Sequence, residues 1–514
     1  MDLPASAPWD DLPADVRGLI INFVVRQSPH ALGRLLQVSR ATRELVHEYV
    51  QTVDLTKIRH FPCATLACYR HLHELAVPQS FRAADMALVA QLPHLTVFHI
   101  DNCQSDPETC HSRDTGAGGG PVGWWAGRSR WAPAGGLQPQ CMITDETMLH
   151  LGPLRQLNHL TLTNVCITGS GLAYLADLPA LTRLSISRCP LDEVAMDHLS
   201  ALTALTDLRL VFTQPYSPFT LGHLRSLTAL TRLDLTTFMH VDIAGVQHLR
   251  ALTALTDLSL SYCVIDQPGL DQLGLLTNLV RLNVFTMGDL VPLFDRRINL
   301  PLWRNPLALT ALAITGRPLS KNSVYAICGL SSLQQLVLRS CGLTARHLAR
   351  LSALTNLTVL CLSNMTLTRT ALMVIYSLRR LTHLELVGAR ICHSFEFDQP
   401  ILPALTHLDL SHAWLDPDVL TWLPALSPGL TTLVLTHCTT IRGEALAQLA
   451  LFPRLVRLNL ADTEITTRDL ECIGQFPALV FLNIGYCGRL DQAGVQWFRD
   501  RLPGCQIVYG YGQS

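Results

Sequence analysis

The chain has 514 residues, of which 48% are hydrophobic and 15% charged, with a formal net charge of −1 and a pI near 7.0. That balance gives general nucleic-acid or membrane-surface binding little electrostatic support, and no uninterrupted apolar run of about 18 residues marks a membrane span. The apolar content is therefore expected in a water-soluble core. Met1-Asp2-Leu3-Pro4 lacks a basic region followed by an apolar stretch, so a secretory signal is not expected. The 16 cysteines contain no CxxC pair, which leaves zinc fingers and thioredoxin-like chemistry without a motif and points to thiols in a reducing compartment.

Residues 1–50 predict a small all-α domain. Asp10 or Asp11 can cap a helix that takes Pro13 in its first turn, and Val16, Leu19, Ile20 and Phe23 form one apolar face. Leu32, Leu35, Leu36 and Val38 make a second patch, giving more apolar surface than so small a piece buries alone. The Leu12-Pro13 opening, the two helical stretches and the Val38-Ser39-Arg40 segment followed by Arg43 and Leu45 resemble an F-box, with Thr42 where that family often has Trp. The resemblance implies docking on a Skp-type adaptor, with Leu12, Pro13, Val16, Ile20, Leu32, Leu35 and Val38 facing it. The alternative is that these helices only cap the first repeat and cover its core, which solenoids require.

From residue 51 to 508 one pattern dominates. Leu-x-x-Leu-x-Leu begins at Leu72, Leu95, Leu157, Leu181, Leu205, Leu230, Leu255, Leu279, Leu309, Leu333, Leu357, Leu381, Leu405, Leu430, Leu455 and Leu479, with a degenerate copy at Val50. In Leu181-Thr182-Arg183-Leu184-Ser185-Ile186 the aliphatic residues alternate with polar ones, as in a short strand with one buried side. The remainder of each copy has helical spacing, as in Ile465 to Ile473, where Thr466 or Thr467 can be the N-cap. A period of about 20 to 29 residues with this consensus resembles the leucine-rich-repeat family. The expected fold is thus α/β: a leucine-rich-repeat solenoid of 16 or 17 repeats, with a parallel concave sheet and convex helices, preceded by the small F-box-like domain.

Two breaks interrupt the period. Residues 104–141 form a low-complexity insertion with Thr115-Gly116-Ala117-Gly118-Gly119-Gly120-Pro121, Trp124, Trp125 and Trp131, and removing them restores a normal repeat. The segment reads as a nonfunctional insertion or a retained intron, with a binding tag of Trp among Arg as the other reading. The smaller excess at 285–305 is a better candidate for a functional loop. Residues up to 508 provide a last helix and terminal strand, leaving 509–514 as a tail.

Cys103, Cys189, Cys263, Cys341, Cys438 and Cys487 each stand eight residues after the leading leucine of their copy, where a buried side chain can hydrogen-bond the backbone of the turn leaving the strand. Recognition is expected on the outward strand positions. Arg183, Asp207, Arg232, Asp257 and Arg281 alternate in sign, joined on the next row by Arg209 and Asp234. This ladder is either self-neutralising or partner-reading. The face then becomes apolar at Ala311, Ala313, Val337, Val359 and Cys361, and next carries His383, Glu385, His407 and Asp409. Those last four could hold zinc or form a hydrogen-bonded cluster, and the latter is adopted, with no metal and no cofactor. No nucleophile with its base, phosphate-binding Gly loop or HExxH motif is present, so no enzyme is expected.

The two resemblances together imply a substrate receptor of a cullin-RING ubiquitin ligase in the cytoplasm or nucleus. Its partners would be a Skp-type adaptor with its cullin complex and an unknown protein substrate, with neither nucleic acid nor membrane. A leucine-rich-repeat scaffold or sensor without ubiquitin linkage is the runner-up. An F-box-bearing bacterial effector is a third reading, suggested by Gly443-Glu444-Ala445-Leu446-Ala447.

Overall fold

The computed structural model describes residues 20, 21, 25, 46, 48–57, 66, 68, 69, 71–77, 81, 83–101, 143–192, 194–211, 221–236, 240, 241, 243–261, 263–265, 267–285, 300, 309–316, 318–391, 402–416, 419–441, 448–468, 478–502 and 504–510. Most of the F-box-like segment, the 104–141 insertion and nearly all of 285–305 lie outside these. The chain divides into two units, Met1–Val264 and Ile265–Ser514.

Every copy of the leucine pattern produces a strand that starts two residues after its leading residue. In the first unit these are Thr52–Asp54, Glu74–Val77, Val97–Asp101, His159–Thr163, Arg183–Ser187, Asp207–Val211, Arg232–Asp234 and Asp257–Ser261, each parallel to the next. The second unit continues with Arg281–Phe285, Ala311–Thr315, Gln335–Arg339, Val359–Ser363, His383–Val387, His407–Asp409, Thr432–Val434, Arg457–Asn459, Phe481–Asn483 and Gln506–Val508. The strand Val97–Asp101 pairs directly with His159–Thr163, so the 104–141 segment interrupts the chain without interrupting the sheet.

Register is fixed by the inward aliphatic pairs. Leu160 and Leu162, Leu184 and Ile186, and Leu208 and Leu210 are all at most 1% exposed. A one-residue slip would turn every such pair outward, and each fully buried side chain contributes about 1.5–3 kcal/mol. On the other side of each unit lie short α- or 3-10 helices. Ser320 caps Lys321–Cys328 by accepting from Ser323 N, and Thr368 caps Arg369–Ser377 by accepting from Ala371 N.

Two side-chain ladders reinforce the stack, and a third regularity runs along its backbone. Threonine follows the leading leucine in most copies, and its hydroxyl donates to the carbonyl of the equivalent residue one repeat earlier. Thr206 thus bonds Thr182 O at 3.2 Å, Thr231 bonds Thr206 O at 3.0 Å, Thr382 bonds Thr358 O at 3.1 Å and Thr406 bonds Thr382 O at 3.1 Å. The eighth-position cysteines do the same from inside, apart from Cys103, which lies outside the described residues. Cys263 Sγ reaches Leu235 O at 3.0 Å, Cys341 reaches Ile314 O at 3.3 Å, Cys438 reaches Leu410 O at 3.0 Å and Cys487 reaches Leu460 O at 3.2 Å. Burial pushes the thiols of Cys189, Cys341 and Cys438 up to about 12, so they stay protonated donors. Cys166 differs from the expectation of an all-thiol chain, because it is disulfide-bonded.

The third regularity is conformational. The residue leaving the strand is left-handed in copy after copy, with φ of 53° to 60° at Asn164, Arg188, Ser340, Asn364, His412, His437, Asp462 and Tyr486, and with glycine at 316 and 388. The requirement belongs to the turn and overrides the ordinary preference of L-residues. Just upstream, Asp409, Asn459 and Asn483 accept the backbone N–H two residues on, at 2.8 to 3.0 Å, and all three close strands of only three residues.

Replacing Thr406 by Val keeps the shape and removes one hydroxyl bond. Urea unfolding is expected to show a loss of about 1 kcal/mol with an unchanged m-value.

Candidate functional site

The outward strand positions are free of core duty and form the candidate protein-binding face of each unit. In the first unit Arg183, Asp207, Arg232 and Asp257 stand opposite one another in register, as their spacing predicts. At its Arg183 end the ladder they form is shorter than expected. Arg232 is clamped from both sides, with Nη1 3.0 Å from Asp207 Oδ2 and Nε 3.1 Å from Asp257 Oδ2. Asp207 Oδ1 is buried without a hydrogen bond, and its nearest cation is Arg209 Nε at 3.5 Å. Arg209 therefore leans along its own strand to Asp207 and does not pair with Asp234, whose Oδ1 accepts from Thr236 Oγ1 at 2.6 Å. Arg183 is exposed and, among the described residues, makes no ion pair. Arg281 opens the second unit on an exposed position.

Beyond Arg183 the face carries a histidine pair that spacing alone did not single out. His99 and His159 meet edge-on with centroids 5.1 Å apart. His99 Nε2 lies 3.9 Å from Glu74 Oε1, and His159 Nε2 lies 3.4 Å from Thr161 Oγ1. Both imidazoles titrate below their ordinary range. Burial is the main cause, and the neighbouring cations add to it for His159. Each occupies an outward strand position, so the signal was present in the sequence.

In the second unit Ala311, Ala313, Val337 and Val359 are half-exposed, but the apolar patch ends at Cys361, which is only 4% exposed. The reason is an ion pair between Arg339 and Glu385, which stand on the strands either side of Cys361 and close above it. Burial and the Glu385 charge push the Cys361 thiol up to about 12, which removes it as a nucleophile near neutral pH. Arg339 occupies the sixth position after its leading leucine, outside the second- and fourth-position rows that carry the charge ladder.

His383 and His407 stack with centroids 5.3 Å apart, in register on adjacent strands. Their acidic neighbours are already engaged, Glu385 by Arg339 and Asp409 by Ser411 N at 2.8 Å. Among the described residues no group of three or more His, Cys, Asp or Glu could hold a metal ion. Among the described residues no hydrogen bond joins His383, Glu385, His407 and Asp409 to one another: the two imidazoles stack, and His383 Nδ1 lies 2.9 Å from Thr382 Oγ1. Further along, Arg457 lies over the Phe481 ring at 5.7 Å, giving a cationic and aromatic surface that the leucine spacing does not mark.

Of the adaptor-facing candidates, Leu12, Pro13, Val16, Leu32, Leu35 and Val38 lie outside the described residues. Ile20 is helical and half-buried, whereas Ile21 and Val25, one turn apart, are 1% and 2% exposed. Among the described residues of this stretch Ile21 and Val25 are the inward ones, and Ile20 is turned partly outward. No helix among the described residues is long and apolar enough to cross a membrane.

Two outcomes follow. The Arg232→Met variant leaves Asp207 and Asp257 facing each other and is expected to lose roughly 1 kcal/mol at low salt, and less at high salt, by urea unfolding. For His407, burial first and His383 second hold the folded pKa below 6.5. The unfolded chain therefore takes up the proton first as pH falls, and stability decreases below about pH 6.5 until the folded pKa is passed. The His407→Gln variant removes that contribution. Its unfolding midpoint is expected to change less between about pH 7 and pH 5 than that of the native chain.

No protein-family model matches this sequence, and no curated protein matches it. Solved structures give remote likenesses. An internalin from Listeria monocytogenes is 17% identical over 70% of this chain and 82% of its own, with a TM-score of 0.35. The leucine-rich-repeat protein LIC12759 of Leptospira interrogans is 15% identical over 91% of this chain and 98% of its own, with a TM-score of 0.34. The plant peptide hormone receptor RGFR1, in complex with RGF2, is 14% identical over 91% of this chain and 72% of its own, with a TM-score of 0.36.

Proposed function

We propose that this chain is a non-catalytic protein-recognition receptor whose outward sheet face holds a target protein, and that residues 1–50 couple it to a Skp-type adaptor in a cullin-RING ubiquitin ligase of the cytoplasm or nucleus. The observation that carries the first part is the run of outward strand positions bearing charged, imidazole and aromatic side chains that take no part in the leucine core. The second part rests on the sequence resemblance of Leu12-Pro13 through Val38-Ser39-Arg40 to an F-box. In this reading the chain transfers no ubiquitin itself. It raises the local concentration of the target beside the transferring subunits.

A second reading has its own support. Val46, shortly before the first strand, is fully buried, and Ile21 and Val25 are nearly so. Side chains buried in this way can serve to cap the repeats and nothing more. The chain would then be a repeat scaffold without ubiquitin linkage.

A pull-down against a purified Skp-type adaptor separates the two. The native chain is expected to bind. A Leu12→Ala, Pro13→Ala, Ile20→Ala variant, shown by circular dichroism to be folded, is expected to bind at least about tenfold more weakly. Absence of binding by the intact, folded chain would leave the cap reading.

A further inference from the structure

We infer that the Arg183 end of the first unit's charge ladder is a docking point for an acidic side chain of the target, a carboxylate or a phosphorylated hydroxyl, held between Arg183, Arg209 and His159. The inference rests on the reading of this face as the target-binding surface and specifies what it takes. It stands on an asymmetry in the ladder. Arg232 has both of its carboxylate neighbours, and Asp207 Oδ2 and Asp257 Oδ2 are committed to it. Asp207 Oδ1 faces Arg209. Arg183 is in register with Asp207 yet is left with no ion pair among the described residues, because the carboxylate opposite it is already used on its far side.

What surrounds Arg183 adds donors. His159 is its register partner on the preceding strand, and Arg209 lies diagonally across on the next, pairing with Ser185. Adjacent strands are about 4.8 Å apart and diagonal neighbours roughly 7–8 Å, so one anion above Ser185 can meet both guanidinium groups. The Ser185 hydroxyl is half-exposed and has no hydrogen-bond partner among the described residues. Arg209 is 46% exposed at its side chain and keeps a second edge for such a contact. Guanidinium forks match both carboxylate and phosphate, and the Arg183 charge is not met by an ion pair among the described residues, while Arg209 shares its charge with Asp207 at 3.5 Å. The cation–carboxylate pairs at Arg232 and Arg339 lack this vacancy.

The test uses the full chain and three short fluorescent peptides of one neutral sequence, carrying three consecutive glutamates, three phosphoserines or three glutamines, measured by anisotropy at low and high salt. The glutamate or phosphoserine peptide is expected to bind at least about tenfold tighter than the glutamine peptide, and whichever is tighter identifies the carboxylate or the phosphate as the preferred group. Arg183→Gln and Arg209→Gln, with folding checked by circular dichroism, are each expected to weaken that binding about tenfold. Arg225→Gln, on the helical side, is expected to leave it unchanged. Equal affinity for all three peptides, or a loss in Arg225→Gln as large as in Arg183→Gln, would overturn the site. So would acidic-peptide binding that is indifferent to both substitutions, which would still leave the face itself as the binding surface. The adaptor pull-down does not involve Arg183 and decides the adaptor coupling of residues 1–50 independently.

Discussion

Each strand contributes a pair of aliphatic side chains that its own repeat has no means of enclosing. Leu184 and Ile186 are buried only because neighbouring copies cover them, and the same holds for Leu208 and Leu210. This constraint sets the parallel register, which in turn sets everything outside the core. Because the period of a strand is two, burying one row of residues presents the row between them as an ordered surface. The candidate site is thus the reverse side of the leucine core.

The polar ladders share that logic at a finer scale. The threonine hydroxyls and cysteine thiols bond the carbonyls of the preceding repeat, so each copy adds the same small increment to the joint with its neighbour. The left-handed residues at the strand exits are a recurring cost of the same geometry, accepted even at His412, His437 and Tyr486. His412 and His437 in turn sit with centroids 4.8 Å apart, and His437 Nδ1 lies 2.7 Å from Asp462 Oδ2. Repetition of the backbone brings chemically active side chains into rows wherever the sequence supplies them.

On that surface, local ion pairing decides which groups remain available. Arg232, Arg339, Glu385 and Asp409 are all engaged with neighbours, and their value to a partner is reduced by the interactions they already make. Arg183 is the contrasting case. A surface of mixed charge close to neutrality can therefore still present a defined cationic point.

The repeat was legible residue by residue in the sequence. All the leading leucines from Leu72 to Leu479 are followed by a strand two positions on, and among the described residues the eighth-position thiols of Cys189, Cys263, Cys341, Cys438 and Cys487 bond the backbone. The threonine ladder was equally legible, since Leu-Thr recurs, but a hydroxyl one residue from a leucine carries no sign of where its proton points. What tertiary structure alone decided was the pairing across strands. Spacing placed Arg209 beside Asp234 and left Cys361 open, whereas side-chain reach took Arg209 to Asp207 and drew Arg339 and Glu385 together over the thiol. Periodicity determines which face a residue occupies. Which neighbour a long charged side chain selects depends on competition among several partners at similar distances, and that is settled only when all the strands are in place.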